Sequence, residues 1–387
     1  MRILIVVPAV GDVYGGPSKI IVELAEALSN LRIDVDVVAT SANGVTSLQV
    51  PLNQWITTKN YRVQYFDYLD IFDYKFTLSL TKWLYRHVSE YDLVHTHAIF
   101  SYPVLPAYWA CQMNKIPYVV APHGMLDPWA LAYKSNKKKL YFSLLEKPAL
   151  NKAAAIHMTA STEAENVKSL MLKPPLAIIS NGIHRKDFEY LPKPNMFYQH
   201  FPDAQNKTLI IFLGRIDPKK GLDLLAKAFA KAYQIFPEAY LIVAGQDNTG
   251  FLPIAQSYFA EAGCSDAVKF TGMLTGEIKY AALAAANIYV APSYSEGFSM
   301  SVLEGMASGL PCVITTGCNF PEAKGVSEIV DIDAEQIGNA LIKLLENPER
   351  AKDMGDRARQ FILENYTWDK VASKMITIYK QILNKEL

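Results

Sequence analysis

Two α/β domains, each built on a parallel sheet, are the fold class that the sequence predicts. Three observations predict it. Short apolar runs alternate with amphipathic stretches of helical period along the whole chain. The alternation breaks once, at the polar stretch YLPKPNMFYQHFPDAQNK (residues 190–207) with its three prolines, and then restarts. Half of the 387 residues are hydrophobic and a fifth are charged, which fills two cores and argues against disorder.

The first strand is ILIVVPA, and the first helix is PSKIIVELAEALSN, with Ile20, Ile21, Leu24, Ala25 and Leu28 on one face. VDVVAT, DLVHTH, YVVAPH, AAIHMTA and LAIISNG follow as buried strands. After the break, LIIFLGR, AYLIVAG, AVKFTGM, NIYVAPS, PCVITT and VSEIVD form a second series. The expected boundaries are residues 1–190 for the first domain, 191–206 for a linker and 207–367 for the second domain, followed by a C-terminal helix over about 368–387. Chemistry is expected in a cleft between the domains, at the carboxyl ends of strands.

Composition narrows the function. Lys plus Arg and Asp plus Glu balance at 38 each, which argues against a general nucleic-acid binder. The four cysteines show no Cys-x-x-Cys spacing, so a reduced cytoplasmic protein is expected rather than a disulfide scaffold or zinc protein. MRILIVVPAV reads as a strand and not as a signal peptide, and no run reaches the ~18 apolar residues of a membrane helix. A soluble protein, at most attached to a membrane surface, is expected.

Four stretches carry candidate chemistry. GDVYGGPSK (11–19) joins the first strand to the first helix without the G-x-G-x-x-G spacing. Gly15 and Gly16 allow close backbone approach, and the free N–H groups of a helix start attract an anion, although a tight turn alone would also use them. LGRIDPKKGLDLLAKAFA sets Arg215 and Lys220 between a strand end and a helix whose buried face carries Leu224, Leu225, Ala228 and Phe229. Two cations there suit a diphosphate. VVAPHGMLDPWA ends a strand with His123, and LVHTHAIF places His95 and His97 at i, i+2 without a carboxylate or cysteine to complete a metal set. YSEGFSMSVLEGMASGLP holds Glu296 and Glu304. Gly309 and Pro311 end its helix, and Ser301 with Glu304 has the spacing of a capping box, which would leave Glu296 and Gly297 unexplained.

Taken in order, GGPSK, HG after a strand, GRIDPKKG and SEGFSMSVLEGMASGLP resemble the retaining glycosyltransferases of family 4. The likeness runs from the first Gly-rich loop to YTWDKVA. HGMLDPWAL and TTGCNFPE look most like bacterial enzymes of exopolysaccharide or lipopolysaccharide assembly, cyanobacterial ones included. The resemblance implies the GT-B architecture: two Rossmann-like domains facing across a cleft, with WDKVASKMITIYKQIL as a helix crossing back to the first. It implies an acceptor on the first domain and a nucleotide-sugar on the second.

On that resemblance, Arg215 and Lys220 hold the diphosphate and stabilise its departure. The helix start at Ser301, with the amides of Met300 and Val302, adds N–H contacts, and Gly16 closes from the first domain. Glu304 accepts from the ribose hydroxyls. Glu296 binds a donor-sugar hydroxyl, with Phe298, Ser299 and Met300 lining that pocket and His123 near the reacting carbon or the 6-hydroxyl. The base lies against Gly272 and Met273 and the GRID loop. His97, Tyr102, Asp127 and Trp129 are the acceptor-side candidates. No metal or other cofactor is implied, because cations and a helix dipole neutralise the leaving group, and front-face displacement is expected over a glutamate nucleophile.

The chain departs from the family where NGIH puts His184 at a position often Asp, and where GFSMSVLE replaces GFGLVLLE. UDP-glucose is the favoured donor, with GDP-mannose next. YKSNKKKLYFSLLEKPALNK (133–152) clusters Lys134, Lys137, Lys138, Lys139, Lys147 and Lys152 among apolar residues. This fits contact with an anionic membrane surface or a lipid-diphosphate acceptor, and equally a solvated helix face. The competing functions are a catalytically silent nucleotide-binding GT-B module and a GT-B epimerase or phosphorylase.

Overall fold

The computed structural model describes residues 1–14, 16–71, 74–127 and 139–387. These fold as two compact units: Met1–Gly182 with Trp368–Leu387, and Ile183–Thr367.

The first unit carries an eight-stranded sheet. Its spatial order is Leu176–Ile178, Ala155–Met158, Tyr118–Ala121, Leu93–His97, Arg2–Ala9, Asp34–Thr40, Tyr61–Phe66 and Trp55–Thr58. Every neighbouring pair is parallel except the last, a hairpin-like antiparallel edge. Ile3 to Val7 are buried without alternation, as expected for a strand covered on both faces. Helix Gly16–Asn30 buries Ile20, Ile21, Leu24, Ala25 and Leu28, the stripe its period predicts. Helix Trp368–Asn384 belongs to this unit. Trp368 donates from its indole to Glu23 at 2.9 Å, and Tyr379 is fully buried. A Cβ on Gly182 would meet the Trp368 ring at 2.9 Å, so only glycine admits the tryptophan there.

The second unit has six parallel strands in the order Val268–Gly272, Ala239–Ala244, Thr208–Leu213, Ile288–Ala291, Cys312–Thr315 and Glu328–Val330. Numbered along the chain this is 3-2-1-4-5-6, the Rossmann order. Its direction reverses between Thr208–Leu213 and Ile288–Ala291, and ligands of such sheets bind outside the carboxyl ends at that reversal. Helix Leu222–Ile235 buries Leu225, Ala228 and Phe229 on this sheet, whereas Leu224, expected on the same face, is only half-buried.

The structure corrects the expected boundaries. The first unit ends at Gly182, short of residue 190, and residues 191–206 are not a linker. Neither proline breaks structure: Pro194 is the N-cap of a short helix, and Pro202 opens a helical turn, as proline does at a first helical position. The helix Asn195–His200 sinks Phe197 into unit 2, its ring 5.0 Å from Phe201, and Ala204 is buried beside it.

Candidate active site

In unit 2 the two strands at the sheet reversal release two loops that are tied together. After Thr208–Leu213 the chain runs through Gly214 and Arg215. It then forms a turn at Pro218–Lys220, where Asp217 caps the amide of Lys219 at 3.1 Å. Gly221 follows at φ 70°, and a Cβ there would lie 2.0 Å from the carbonyl oxygen of Pro292, in the second loop. Glycine is therefore what lets the loops touch. Tyr294 N donates to the Lys219 carbonyl at 2.8 Å, and the Tyr294 hydroxyl to Asp223 at 2.6 Å.

Glu296 is held at both ends. Its amide donates to the Gly317 carbonyl at 2.8 Å, and its carbonyl accepts from the side-chain amide of Asn319, a residue at φ 55°. Its carboxylate accepts from Lys220 Nζ and, at 2.7 Å, from Ser293 Oγ. Burial raises the Glu296 pKa, but the charges of Lys220 and Lys219 and the two side-chain hydrogen bonds outweigh it, so the carboxyl lies below its ordinary value. Burial lowers the Lys219 pKa, assisted by Lys220 and Arg215 and opposed by Glu296. The site is thus a cationic loop neutralised in part by one carboxylate. Arg215 is exposed and has no partner among the described residues.

Glu304 lies on helix Met300–Ala307 and accepts from Lys279 Nζ at 2.8 Å. Lys279 comes from helix Gly276–Ala285. The capping-box alternative is not realised. Ser299 is the N-cap, Ser301 is already inside the helix, and Glu304 lies too far along it to reach the cap. No side-chain oxygen caps the first turn, since Ser299 Oγ pairs with Ser301 Oγ at 3.2 Å. The amides of Met300, Ser301 and Val302 therefore head a helix start without a side-chain cap, in the loop that carries Glu296. The far end closes as the sequence predicts. Gly309 at φ 81° and the bonds Leu310 N to Gly305 O and Gly309 N to Met306 O form a Schellman motif.

The Phe298 ring, expected to line the sugar site, turns into the protein instead. The ring packs on Phe320 at 4.9 Å and Tyr366 at 6.0 Å in an aromatic cluster, which leaves the loop its backbone and the neighbouring serines for contact. Gly272, at φ 73°, and the exposed Met273 sit at the carboxyl end of the edge strand Val268–Gly272, which Ala239–Ala244 separates from the reversal.

In unit 1 the sheet reverses between Arg2–Ala9 and Leu93–His97, and three candidates lie at carboxyl ends on that side. Gly16 opens its helix in open space, since a Cβ there would meet nothing within 4 Å, so packing does not demand a glycine. His97 ends its strand and is buried. His123 follows the next strand at φ 53°, and its Nε2 is 2.9 Å from His97 Nδ1. The left-handed turn is held by Glu163, fully buried, whose carboxylate accepts from Gly124 N at 2.7 Å and from Thr159 N and Oγ1 at 2.6 and 2.8 Å. Burial, then the nearby His157, push the His123 pKa down to about 3, so the ring is neutral at pH 7.

The remaining acceptor-side candidates are less open than expected. Tyr102 shares a 2.9 Å bond with Thr81 and packs on Phe76 at 4.5 Å. Asp127 is 2% exposed and accepts from Asn166 at 3.3 Å, which makes it a brace inside unit 1. Gly15, Trp129, Lys134, Lys137 and Lys138 lie outside the described residues. Leu140 and Leu144 are exposed while Phe142 is buried, and among the described residues no helix is long and apolar enough to cross a membrane.

A family model for glycosyl transferases group 1 matches residues 198–361, and one for Glycosyltransferase Family 4 matches residues 14–187. The chain belongs to the family 4 glycosyltransferases. This glycosyltransferase is similar to the D-inositol 3-phosphate glycosyltransferase of Gordonia bronchialis, 26% identical over 400 residues, covering 97% of this chain and 86% of the relative. It is also similar to the MMP alpha-(1->4)-mannosyltransferase of Mycolicibacterium hassiacum, 31% identical over 188 residues, 47% of this chain and 45% of the relative. In fold it resembles sucrose-phosphate synthase from Thermosynechococcus elongatus, with TM-score 0.78 and 20% identity over all of both chains. Anabaena HepE, crystallised with UDP and glucose, gives TM-score 0.74 and 17% identity over 100% and 99% of the two chains. The fold of the glycosyltransferase is GT-B.

Sequence reasoning missed Lys279, Ser293, Asn319 and Glu163 in this enzyme. Lys279 had a signal of its own, a basic residue directly before the apolar run YAALAAA.

Proposed function

We propose that the enzyme is a retaining, metal-independent transferase that moves a hexose from a nucleotide-sugar to a glycan or lipid-linked acceptor in cell-envelope polysaccharide synthesis. UDP-glucose is the favoured donor and GDP-mannose the next. The observation that carries this reading is the Lys220–Glu296–Ser293 group at the sheet reversal of unit 2, beside the uncapped start of helix Met300–Ala307. A cation and free amides suit a diphosphate, and a fixed carboxylate suits a sugar hydroxyl. HepE, which shares the fold, was crystallised with UDP and glucose, and that favours the uridine donor.

In the proposed reaction the bond from the sugar C1 to the diphosphate oxygen breaks, and a C1–oxygen bond to the acceptor hydroxyl forms on the same face. The acceptor proton passes to the departing phosphate oxygen. Lys220, Arg215 and the helix amides carry the charge of the nucleoside diphosphate as it leaves. Glu304 receives the ribose hydroxyls, Glu296 orients the sugar, and Gly272 and Met273 border the base. Gly16 and His123 are the residues of unit 1 assigned to the donor, and Tyr102 is assigned to the acceptor.

Incubation with a panel of UDP-, GDP- and ADP-sugars tests this. Slow release of one nucleoside diphosphate is expected, with UDP-glucose the fastest and the sugar's anomeric configuration kept in the first product seen by NMR. Release of no nucleotide from any donor would favour the silent module.

A further inference from the structure

Four of the seven histidines meet in unit 1 on adjacent strand ends: His95 and His97 on Leu93–His97, His157 on Ala155–Met158, and His123 beyond Tyr118–Ala121. Parallel register sets His95 opposite Val119 and His97 opposite Ala121. His95, His97 and His157 are buried, and burial keeps all four rings neutral at pH 7. A neutral imidazole carries one N–H, so each contact must pair a donor with an acceptor.

One pair is oriented by a carbonyl. His157 Nε2 is 2.7 Å from Ile179 O, which only accepts, so His157 holds its hydrogen on Nε2. His157 Nδ1 then accepts, at the long distance of 3.4 Å, from His95 Nε2. His95 Nδ1 in turn accepts from the Tyr379 hydroxyl at 2.7 Å. Direction is set along the whole row from one end.

The other pair is oriented by an orphan. His97 Nδ1 faces His123 Nε2 at 2.9 Å, with the ring centroids 5.1 Å apart and the planes 19° from parallel, the edge-to-edge arrangement an in-plane N–H needs, while His97 Nε2 is buried and has no hydrogen-bond partner among the described residues. If Nε2 carried the hydrogen, a donor would be buried unpaired. If Nδ1 carries it, only a lone pair is left over, which folded proteins tolerate more often. The second arrangement makes His97 the donor to His123 Nε2, and the hydrogen of His123 must then sit on Nδ1.

We propose that His97 is a positioning residue for His123, donating from Nδ1 and fixing His123 as its Nδ1–H tautomer, so that His123 meets an oxygen of the transferred sugar with an N–H and not with a lone pair. This rests on the reading above that His123 approaches the donor sugar. The left-handed backbone of His123, held by Glu163 through Gly124, fixes the same ring from the other side. The sequence offered His97 as an acceptor contact; its burial and its bond to His123 assign it a place behind the site.

Long-range proton–nitrogen NMR of the full chain with nitrogen-15 histidine reads the tautomers directly, with signals assigned by single replacements. His97 and His123 are expected in the Nδ1–H form, and His95 and His157 in the Nε2–H form. An Nε2–H signal for His97 would overturn the proposal. His97→Asn places an amide N–H where Nδ1 was, and His97→Leu removes it. His97→Leu is expected to lower the turnover of the donor on the order of 10²-fold with nucleoside diphosphate affinity unchanged, and His97→Asn to recover most of the loss. Equal losses in both variants, tracking a common drop in melting temperature, would make His97 a packing residue only. If the wild-type chain releases no nucleotide from any donor, the functional reading fails, while the NMR result still decides the tautomers.

Discussion

Lys220→Ala is expected to slow nucleotide release by roughly 10²–10³-fold, about what the loss of one preorganised charge stabiliser costs. It is also expected to destabilise unit 2 by about 3–5 kcal/mol, because it leaves a buried carboxylate without its closest cation. The Lys220 and Glu296 side chains are 11% and 10% exposed, so water cannot replace the ammonium. Lys219 stands near enough to lower the Glu296 pKa and softens the loss, which places the expected cost toward the lower figure. The two effects separate in Lys220→Met combined with Glu296→Gln, which removes both charges and keeps an acceptor for Ser293. Melting temperature should return toward the wild-type value while turnover stays low. Recovery of turnover in that double variant would remove Lys220 from the chemistry.

Acid should unfold unit 1 before unit 2. The His157 pKa is pushed down to about 4 by burial, against the Ile179 carbonyl that raises it, and burial puts His95 and His97 well below their ordinary value. Between the unfolded value of 6.5 and the folded one, the unfolded chain binds a proton that the folded chain refuses. Stability is therefore full above pH 6.5 and falls as pH drops, by about 1.4 kcal/mol per pH unit for each such histidine. Glu146 works the other way. Burial raises its pKa to about 7 against the Phe100 amide that lowers it, so it adds stability as pH drops from 7 to 4.5. One carboxyl does not offset three fully buried histidines. In unit 2 the lowered pKa of Glu296 loses its contribution only as pH falls below 4.5. All five tryptophans, Trp55, Trp83, Trp109, Trp129 and Trp368, belong to unit 1 by sequence position. Tryptophan fluorescence should report unfolding between pH 6.5 and 4.5 while far-UV circular dichroism keeps the helices of unit 2. His157→Gln keeps a donor for Ile179 without titrating, and should flatten the pH dependence by about one proton. Coincident loss of both signals at a pH below 4 would contradict this order.

The central strands were legible because a parallel sheet covered on both faces needs unbroken apolar runs such as ILIVV and LIIFL, and few other structures do. The edge pair Trp55–Thr58 and Tyr61–Phe66 was not, since a half-covered strand admits Arg62 and Gln64 among its apolar residues. Prolines at 194 and 202 read as a linker because proline opens a helical turn as readily as it ends one. At the site, the cations and carboxylates were legible as local stretches, but their partners were not. Lys279 meets Glu304, and Asn319 meets Glu296, across separate elements with no spacing to betray them. The histidine array is likewise a product of strand register: each ring is unremarkable alone, and only the parallel pairing of Leu93–His97 with its neighbours brings them together.

Calorimetric titration of UDP, GDP and ADP into the wild-type chain and into Glu304→Ala tests the donor site most directly. One nucleoside diphosphate, UDP first, should bind the wild type. Glu304→Ala should weaken it by roughly 10–100-fold, as expected for losing hydrogen bonds to a charged group, and should also lower the melting temperature, because the mostly buried Lys279 loses its carboxylate. Binding of no nucleotide, or an affinity untouched by Glu304→Ala while the melting temperature falls, would mean that the Lys279–Glu304 pair merely braces two helices and that the donor is not held here.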